Sequence, residues 1–473
     1  MRVYARIVKR PPGRACFQLA AEAGSTAHLP TRQSTIECER EREMTRQRTD
    51  GETELLSTAR KVLPAGHFNF APEIVIREGK GSHVWDESGN EYVDFLLGSG
   101  PMFLGHAHPD VTAAVSRQLA RGTTFFANNS AAIRLAAEIV DAVPCAEQVR
   151  FLSTGTEATQ YAMRMARAYR GRSKILKFEG GFHGMGDWAL MSVAPRRPGN
   201  FPMAAPDSAG IPEVLSSEML IAPFNDADAT VALIEAHKDE LAGVIMEPFQ
   251  RLILPKPGFL EAVRAATARN GVPLIFDEIV TGFRFAYGGA QEAYGVIPDL
   301  CALGKILGGG FPLAAVAGRE EIMRHFDRGK VAEERFAQQT GTLSGNPVAA
   351  EAGLATLEVL QRPGIFPQVM ATGEVLMQGL QRALDDARQT ARVIGHPTCF
   401  EAFFTDTPIT DYRGMQKADA AKQKRFHSLL LERGVLKAES KFYVSVAHAA
   451  VDVDHAIAAF RSAARDMSRD ATR

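Results

Sequence analysis

The chain has 473 residues, 45% of them apolar, enough for a large domain with a second one attached or for two domains sharing an interface. Its 54 basic and 55 acidic residues leave a formal net charge of -1, so no field of one sign points to nucleic acid as a partner. Five scattered cysteines without CxxC spacing argue against a disulfide framework or a structural zinc site and suit a reducing compartment, read as the cytoplasm; no apolar run approaches the roughly 20 residues that span a membrane.

Residues 1–43 differ from the rest: MRVYARIVKRPPGR is basic, and Met1 to Ser34 hold one acidic residue, Glu22. A secretory signal would need a longer apolar core. The segment reads as an organelle leader, a disordered extension, or sequence upstream of a true start at Met44. TDGETELLSTARKVLPAG then reads as an N-cap and an amphipathic helix. EIVIREGKGSHVWDESGNEYVDF alternates apolar and polar residues, which predicts short strands turned at ESGN. FLGHAHPDVTAAVSRQLA is a loop running into a helix.

From about Ala131, helices alternate with short apolar strands in VRFLSTG, SKILKFEGGFHG, LAGVIMEPF, VPLIFDEIV and DLCALG. Strands covered on both faces read this way, and the alternation predicts an α/β architecture with a mainly parallel sheet. Ligands of such sheets bind beyond the carboxyl ends of strands, so the loops after Leu152, Phe178, Met246 and Phe276 should face one crevice. Beyond Gly345, ARVIGHP, CFEAFFTD and FYVSVAH mix with helices and are expected to join the early hairpins in a smaller α+β domain. The expected division is residues 1–43 as leader, 44–100 as the first part of the small domain, 101–345 as the large domain, 346–466 as the rest of the small domain and 467–473 as a tail.

Lys305 follows apolar DLCALG and precedes ILGGGFPLAAVAG. A lone lysine is ordinarily a solvated charge, but desolvation here would lower its pKa and free an amine for Schiff-base chemistry. Asp277 ends the apolar strand PLIF. It is either a strand-end acid bonded to a neighbouring helix or the carboxylate that keeps a heterocycle nitrogen protonated. Glu278 beside it reads as structural. STGTEA, Ser153 to Ala158, stands where a strand meets a helix, as a plain cap or as a phosphate cradle; no Walker A loop is present. FEGGFHG places Phe182 and His183 after another strand, where an aromatic can pack in the loop or lie on a cofactor ring. His106 and His108 in GHAHP have no carboxylate or third histidine nearby to complete a metal set. Each signal is weak alone. Their joint order asks for an aldehyde that carries a phosphate and is also an aromatic cation, which is pyridoxal 5'-phosphate.

At these residues the chain resembles the class III aminotransferases, pyridoxal-phosphate enzymes of fold type I. Within them it resembles the branch with glutamate-1-semialdehyde 2,1-aminomutase, D-phenylglycine aminotransferase and β-phenylalanine aminotransferase. STGTEA, GGFHG, MEP, FDEIVTGFR, LGKILGGG and GTLSGNP stand in family order between about Glu52 and Ala464. The resemblance implies that Lys305 is the Schiff-base lysine and the proton shuttle, and that Asp277 is the ring-nitrogen partner. It implies that Ile279 packs on the ring face opposite Phe182, that Gly155 and Thr156 hold the phosphate, and that His183 stands beside the ring. The family usually carries tyrosine where Phe182 stands, so stacking survives and a hydroxyl contact does not. Thr342 in GTLSGNP matches the threonine that reaches the phosphate of the neighbouring subunit, which implies a homodimer with shared active sites.

Two departures bear on substrate. The aminomutase has a GVNSPVR-like segment where this chain has PAGHFNFAP, without arginine, and a Gly-Asn pair where it has Gln250-Arg251-Leu252. Arg251 is therefore a candidate carboxylate clamp, and Gln250 a candidate neighbour of the cofactor's phenolic oxygen. Phe68, Phe70, Phe125 and Phe126 form either an apolar substrate pocket or core. The resulting expectation is a transaminase moving an amino group from an amino acid or amine to a 2-oxo acid by ping-pong kinetics. The aminomutase, an amino acid racemase and a non-catalytic binding protein of the same fold stand as alternatives.

Overall fold

The computed structural model describes residues 46–68, 73–195 and 198–470. The expectations for residues 1–43, for a start at Met44, for Phe70 and for the last residues of the tail lie outside the described residues. The first described helix, Asp50–Val62, is capped by Thr49, whose hydroxyl accepts from Glu52 N–H at 3.3 Å. Asp50 and Glu52 sit in its first turn and Arg60 and Lys61 in its last, each matched to the helix dipole.

Strands β1 (Ile76–Lys80), β2 (His83–Asp86) and β3 (Glu91–Phe95) pair antiparallel. The β2–β3 turn is ESGN, as its residue types predict. Asp86 Oδ1 accepts from Ser88 N–H at 3.0 Å and Asn90 N–H at 2.8 Å, and Gly89 takes the left-handed conformation at φ 85°. The large sheet is built from β4 (Gln148–Leu152), β5 (Lys174–Phe178), β6 (Met219–Ala222), β7 (Leu241–Met246), β8 (Leu274–Asp277), β9 (Leu300–Leu303) and β10 (Ala314–Gly318). Their spatial order is β4-β10-β9-β8-β7-β5-β6. β11 (Arg392–His396), β12 (Cys399–Phe403) and β14 (Phe442–Tyr443) make a third sheet, while β13 (Val435–Lys437) runs parallel to β3. The chain's late residues thus complete the sheet its early residues begin.

The large sheet is parallel except at β10, which runs antiparallel to both β4 and β9. Alternation of helices and strands could not show this. After Lys305 the chain doubles back through Gly308, Gly309 and Gly310 without a crossover helix, and a strand returning from a tight turn has to run the other way. The sheet's residues alternate between two cores. Leu176, Val244, Leu274, Phe276 and Leu303 face one side; Ile175, Ile245, Ile275, Ala302 and Val316 face the other, against Ala158, Ala162 and Ala166 of the helix Gly155–Arg170. Burial on both faces is why these strands lack polar alternation. This is a mixed α/β architecture around a mainly parallel sheet. No helix among the described residues is long and apolar enough to cross a membrane.

Candidate active site

The carboxyl ends of the parallel strands deliver the functional side chains. β9 ends at Leu303, and Lys305 follows Gly304 in the left-handed conformation, φ 48°. A side chain rarely accepts that backbone, and such strain is held only where neighbours fix it. A Cβ on Gly304 would meet Ile279 Cδ1 at 2.9 Å, which places Ile279 against the turn that carries the lysine. Burial is the main force on the Lys305 amine and pushes its pKa down to about 8. The Lys441 charge adds to the fall, and Asp277 opposes it.

Asp277 closes β8 and is buried at 5% exposure. Its Oδ2 lies 2.8 Å from His183 Nδ1, and its Oδ1 accepts from Ile279 N–H at 3.1 Å. Glu278, next along, is wholly buried and points away. It accepts from Thr281 Oγ1 and Ala290 N–H at 2.7 Å, and from both nitrogens of Gln291 at 3.1 Å. Burial nevertheless raises its pKa. That makes Glu278 a structural tie between β8 and the helix Ala290–Tyr294.

The helix Gly155–Arg170 starts with a full capping box. Thr154 Oγ1 accepts from Glu157 N–H at 3.1 Å, and Glu157 Oε2 accepts from Thr154 N–H at 2.8 Å. The amides of Gly155 and Thr156 belong to the first turn, which leaves them without helical acceptors. The capped-helix and phosphate readings of STGTEA are therefore compatible. Thr156 Oγ1 accepts from Met185 N–H at 3.1 Å and Thr159 Oγ1 donates to His183 O at 2.6 Å, which fastens the Phe182–Met185 loop to this helix start. A Cβ on Gly155 would meet Ile279 at 3.2 Å, so Ile279 lies beside both the phosphate-type turn and the lysine.

The Phe182 loop is held from beneath by groups that lie far apart in sequence. Phe182 N–H donates to Glu247 Oε1 at 2.7 Å. Gln250 Nε2 donates to Glu179 O at 2.7 Å, and Arg251 Nε donates to Gly180 O at 2.8 Å. The Arg251 guanidinium carbon stands 5.5 Å from the Phe182 ring centroid, and Nη2 reaches Val193 O at 3.4 Å. Two of its donors thus meet backbone carbonyls and support the loop. Arg413 adds a bidentate pair to Glu179, at 2.7 and 3.0 Å.

The structure therefore gathers Gly155, Thr156, Phe182, His183, Gln250, Arg251, Asp277, Ile279 and Lys305 at one crevice. Thr342 is exposed and hydrogen-bonds to none of them. Phe68, Phe125 and Phe126 are exposed rather than core. His106 pairs with Asp94, Nε2 to Oδ2 at 2.7 Å. Sequence reading passed over Glu179, Arg413 and Lys441. Arg413 lies well over two hundred positions from its partner, and no local pattern marks it.

Two buried polar atoms in the crevice have no hydrogen-bond partner, His183 Nε2 and Gln250 Oε1. Both face Gly181: a Cβ there would lie 3.1 Å from the first and 3.6 Å from the second. Unpaired buried polar atoms of this kind are a place for a ligand's polar groups. Together with a half-exposed aromatic ring, an opposing isoleucine, a buried carboxylate and free helix amides, they fit a flat phosphorylated heterocycle. Lys305, Asp277, His183, Phe182, Ile279, Gly155 and Thr156 would hold it.

A fold type I transferase with this site is a pyridoxal-phosphate enzyme. The sequence profile described as "Aminotransferase class-III" matches residues 65–459, and the chain belongs to that family. It is 39% identical over 432 residues to a glutamate-1-semialdehyde 2,1-aminomutase of Roseiflexus castenholzii, covering 88% of this chain and 98% of the other. Among solved structures, an omega-transaminase from Sphaerobacter thermophilus superposes with a TM-score of 0.84 at 36% identity, over 90% of this chain and 99% of that one. A β-phenylalanine aminotransferase from Variovorax paradoxus does so with a TM-score of 0.79 at 26% identity, over 91% and 96%.

Proposed function

We propose that the protein is a transaminase that moves an amino group from an amino acid or amine to a 2-oxo acid. Bound pyridoxal phosphate supplies a carbonyl carbon for Schiff-base exchange and an electron sink for the charge left when a carbon–hydrogen bond breaks. Lys305 would hold the cofactor through Nζ and, once freed, would take the proton from the substrate carbon and return it one bond away. An amine whose pKa is about 8 can both accept and release that proton near neutral pH. Asp277 would keep the ring nitrogen protonated, and His183 fixes the carboxylate's orientation. Phe182 and Ile279 would hold the ring. Two half-reactions sharing one lysine give ping-pong kinetics.

The observation that carries this reading is the lowered, buried Lys305 beside Ile279, with Asp277 and His183 paired at 2.8 Å in the same crevice. The active unit we propose is a homodimer in which Thr342 reaches the partner's phosphate, acting in the cytoplasm. The aminomutase is the second reading, favoured by the relative that is 39% identical. Against it stand PAGHFNFAP, which lacks arginine, and Gln250-Arg251, where the aminomutase pattern differs.

An absorbance titration of the holoenzyme with D- and L-α-amino acids, a β-amino acid, glutamate-1-semialdehyde and an uncarboxylated amine tests both. Conversion to the pyridoxamine form with release of an oxo product supports the transaminase. Reaction of the semialdehyde alone, giving 5-aminolevulinate, supports the aminomutase.

A further inference from the structure

Residues 189–193 lie between the Phe182–Met185 loop and the stretch 203–207, and they form neither helix nor strand. Ala189, Met191, Ser192 and Val193 are buried, so the backbone here must be satisfied one group at a time. A donor reaches each of the five carbonyls. Lys177 Nζ donates to Ala189 O and to Met191 O, each at 2.7 Å. Asp207 N–H donates to Leu190 O at 3.0 Å, Gly180 N–H to Ser192 O at 2.8 Å and Arg251 Nη2 to Val193 O at 3.4 Å. Asp207 Oδ2 accepts from Val193 N–H and Ala194 N–H. Ser192 is held in the left-handed region, φ 52°, a backbone that persists only where its neighbours fix it.

Lys177 is the unusual member of this set. It stands in β5 on the face that carries Ile175, it is wholly buried, and its bonds go to two carbonyls rather than to a carboxylate. Burial pushes its pKa down to about 7, while the Asp207 charge opposes the fall. A buried amine is costly, and a methionine would fill the same space without that cost. What a methionine could not do is bond two carbonyls at once. The next two carbonyls of the same segment are held by Gly180 and Arg251. Gly180 also gives its own carbonyl to Arg251 Nε at 2.8 Å, and the Arg251 guanidinium carbon stands 5.5 Å from the Phe182 ring centroid. A line of direct contacts therefore joins Lys177 to the aromatic face of the crevice.

We propose that Lys177 is a positioning residue for the cofactor: by fastening residues 189–193 against the base of the Phe182 loop, it sets where the Phe182 ring stands. It acts through that segment and not by touching cofactor or substrate. The inference uses the cofactor alone, so it holds for a transaminase and for an aminomutase alike. A single ammonium suits the task, since its three N–H groups turn freely to two carbonyls and each bond is charge-assisted.

Trp188 directly precedes this segment and is half-buried, with the Arg167 guanidinium carbon 4.9 Å from its ring; Trp85 is the only other tryptophan. In full-length protein carrying Trp85→Phe, Trp188 fluorescence therefore reports on the segment alone. Lys177→Met is compared with this parent by acrylamide quenching of Trp188, by titration of the cofactor-free chain with pyridoxal phosphate, and by Tm. The quenching constant is expected to rise about 3-fold as the segment opens locally, and the cofactor Kd about 10-fold. Tm should change little, because the lost bonds and the removed buried charge offset each other. Unchanged quenching or an unchanged Kd overturns the proposal. A lower Tm with an unchanged Kd marks a lysine that serves the fold alone, and overturns it as well. Asp207→Ala gives an independent arm should Lys177→Met fail to fold: it removes the acceptor of the Val193 and Ala194 amides from a partly exposed position and leaves Lys177 in place. Quenching and Kd should rise together there too. A segment freed with the Kd unchanged breaks the link to Phe182 and overturns the proposal.

Discussion

Nδ1 of His183 lies 2.8 Å from Oδ2 of Asp277, and both side chains are buried to within a few per cent. One residue comes from the loop after β5, the other from the end of β8, and the pairing fixes which way the carboxylate faces. Its second oxygen is tied to the Ile279 amide. A neutral amide at this position cannot hold a ring nitrogen protonated. Asp277→Asn should therefore lower the rate of the first half-reaction by at least about 100-fold, while Lys305 and the Gly155–Thr156 turn still retain the cofactor. Stopped-flow absorbance with a measured cofactor content checks this. His183→Ala should cost less, because it loosens the carboxylate without removing it.

Lys305 carries the clearest pH dependence. In the protein free of cofactor its amine is half neutral near pH 8, chiefly through burial, rather than near the ordinary lysine value. Since the neutral amine is the nucleophile, the rate of reconstitution with pyridoxal phosphate should climb with pH through a midpoint of about 8. Lys441→Met removes a neighbouring positive charge and should move that midpoint upward. The folded pKa lies below the unfolded one, so the folded chain binds fewer protons between them, and this group's contribution to stability rises with pH from about 8 to the unfolded lysine value. A rate profile flat across that range would contradict the assignment.

The Glu401–Lys437 pair is fully desolvated, with its charged atoms 2.6 Å apart. Removing one partner strands the other. Glu401→Leu or Lys437→Met alone should each destabilise the protein by about 3–5 kcal/mol, and the double change Glu401→Leu with Lys437→Met by distinctly less. Urea unfolding of the four proteins reads this cycle.

Arg413 reaches Glu179 with two parallel hydrogen bonds and Gly199 O with a third at 2.7 Å. Its side chain is 42% exposed, so the ion pair is screened and worth no more than about 1 kcal/mol of global stability. Its effect should be local. Arg413→Ala should raise the cofactor Kd by about 3- to 10-fold by loosening the loop that carries Phe182, with little change in Tm. A large fall in Tm with unchanged cofactor affinity would show that the clamp serves the fold instead.

Much of the site was legible because it depends on short-range order. Ser153–Ala158, Phe178–Gly184, Asp277 and Lys305 each follow a strand whose apolar run is visible in the sequence, and strand ends on one edge of a parallel sheet share a crevice by topology. The antiparallel β10 was not legible, since its direction depends on a tight turn through glycines and not on periodicity. Arg251 shows a different limit. Its bond to Gly180 O, which supports the loop, depends on where the chain brings that carbonyl and leaves no mark in the local sequence.

The sequence by itself determined the α/β class, the cofactor and the order of the candidate site residues, because strand burial, helix caps and a lysine among small residues are local signals. Only the tertiary structure decided which charges meet. His183 and Asp277 come from separate stretches, as do Arg413 and Glu179, and electrostatic energy depends on distance through space, which a linear sequence does not specify until the chain has closed.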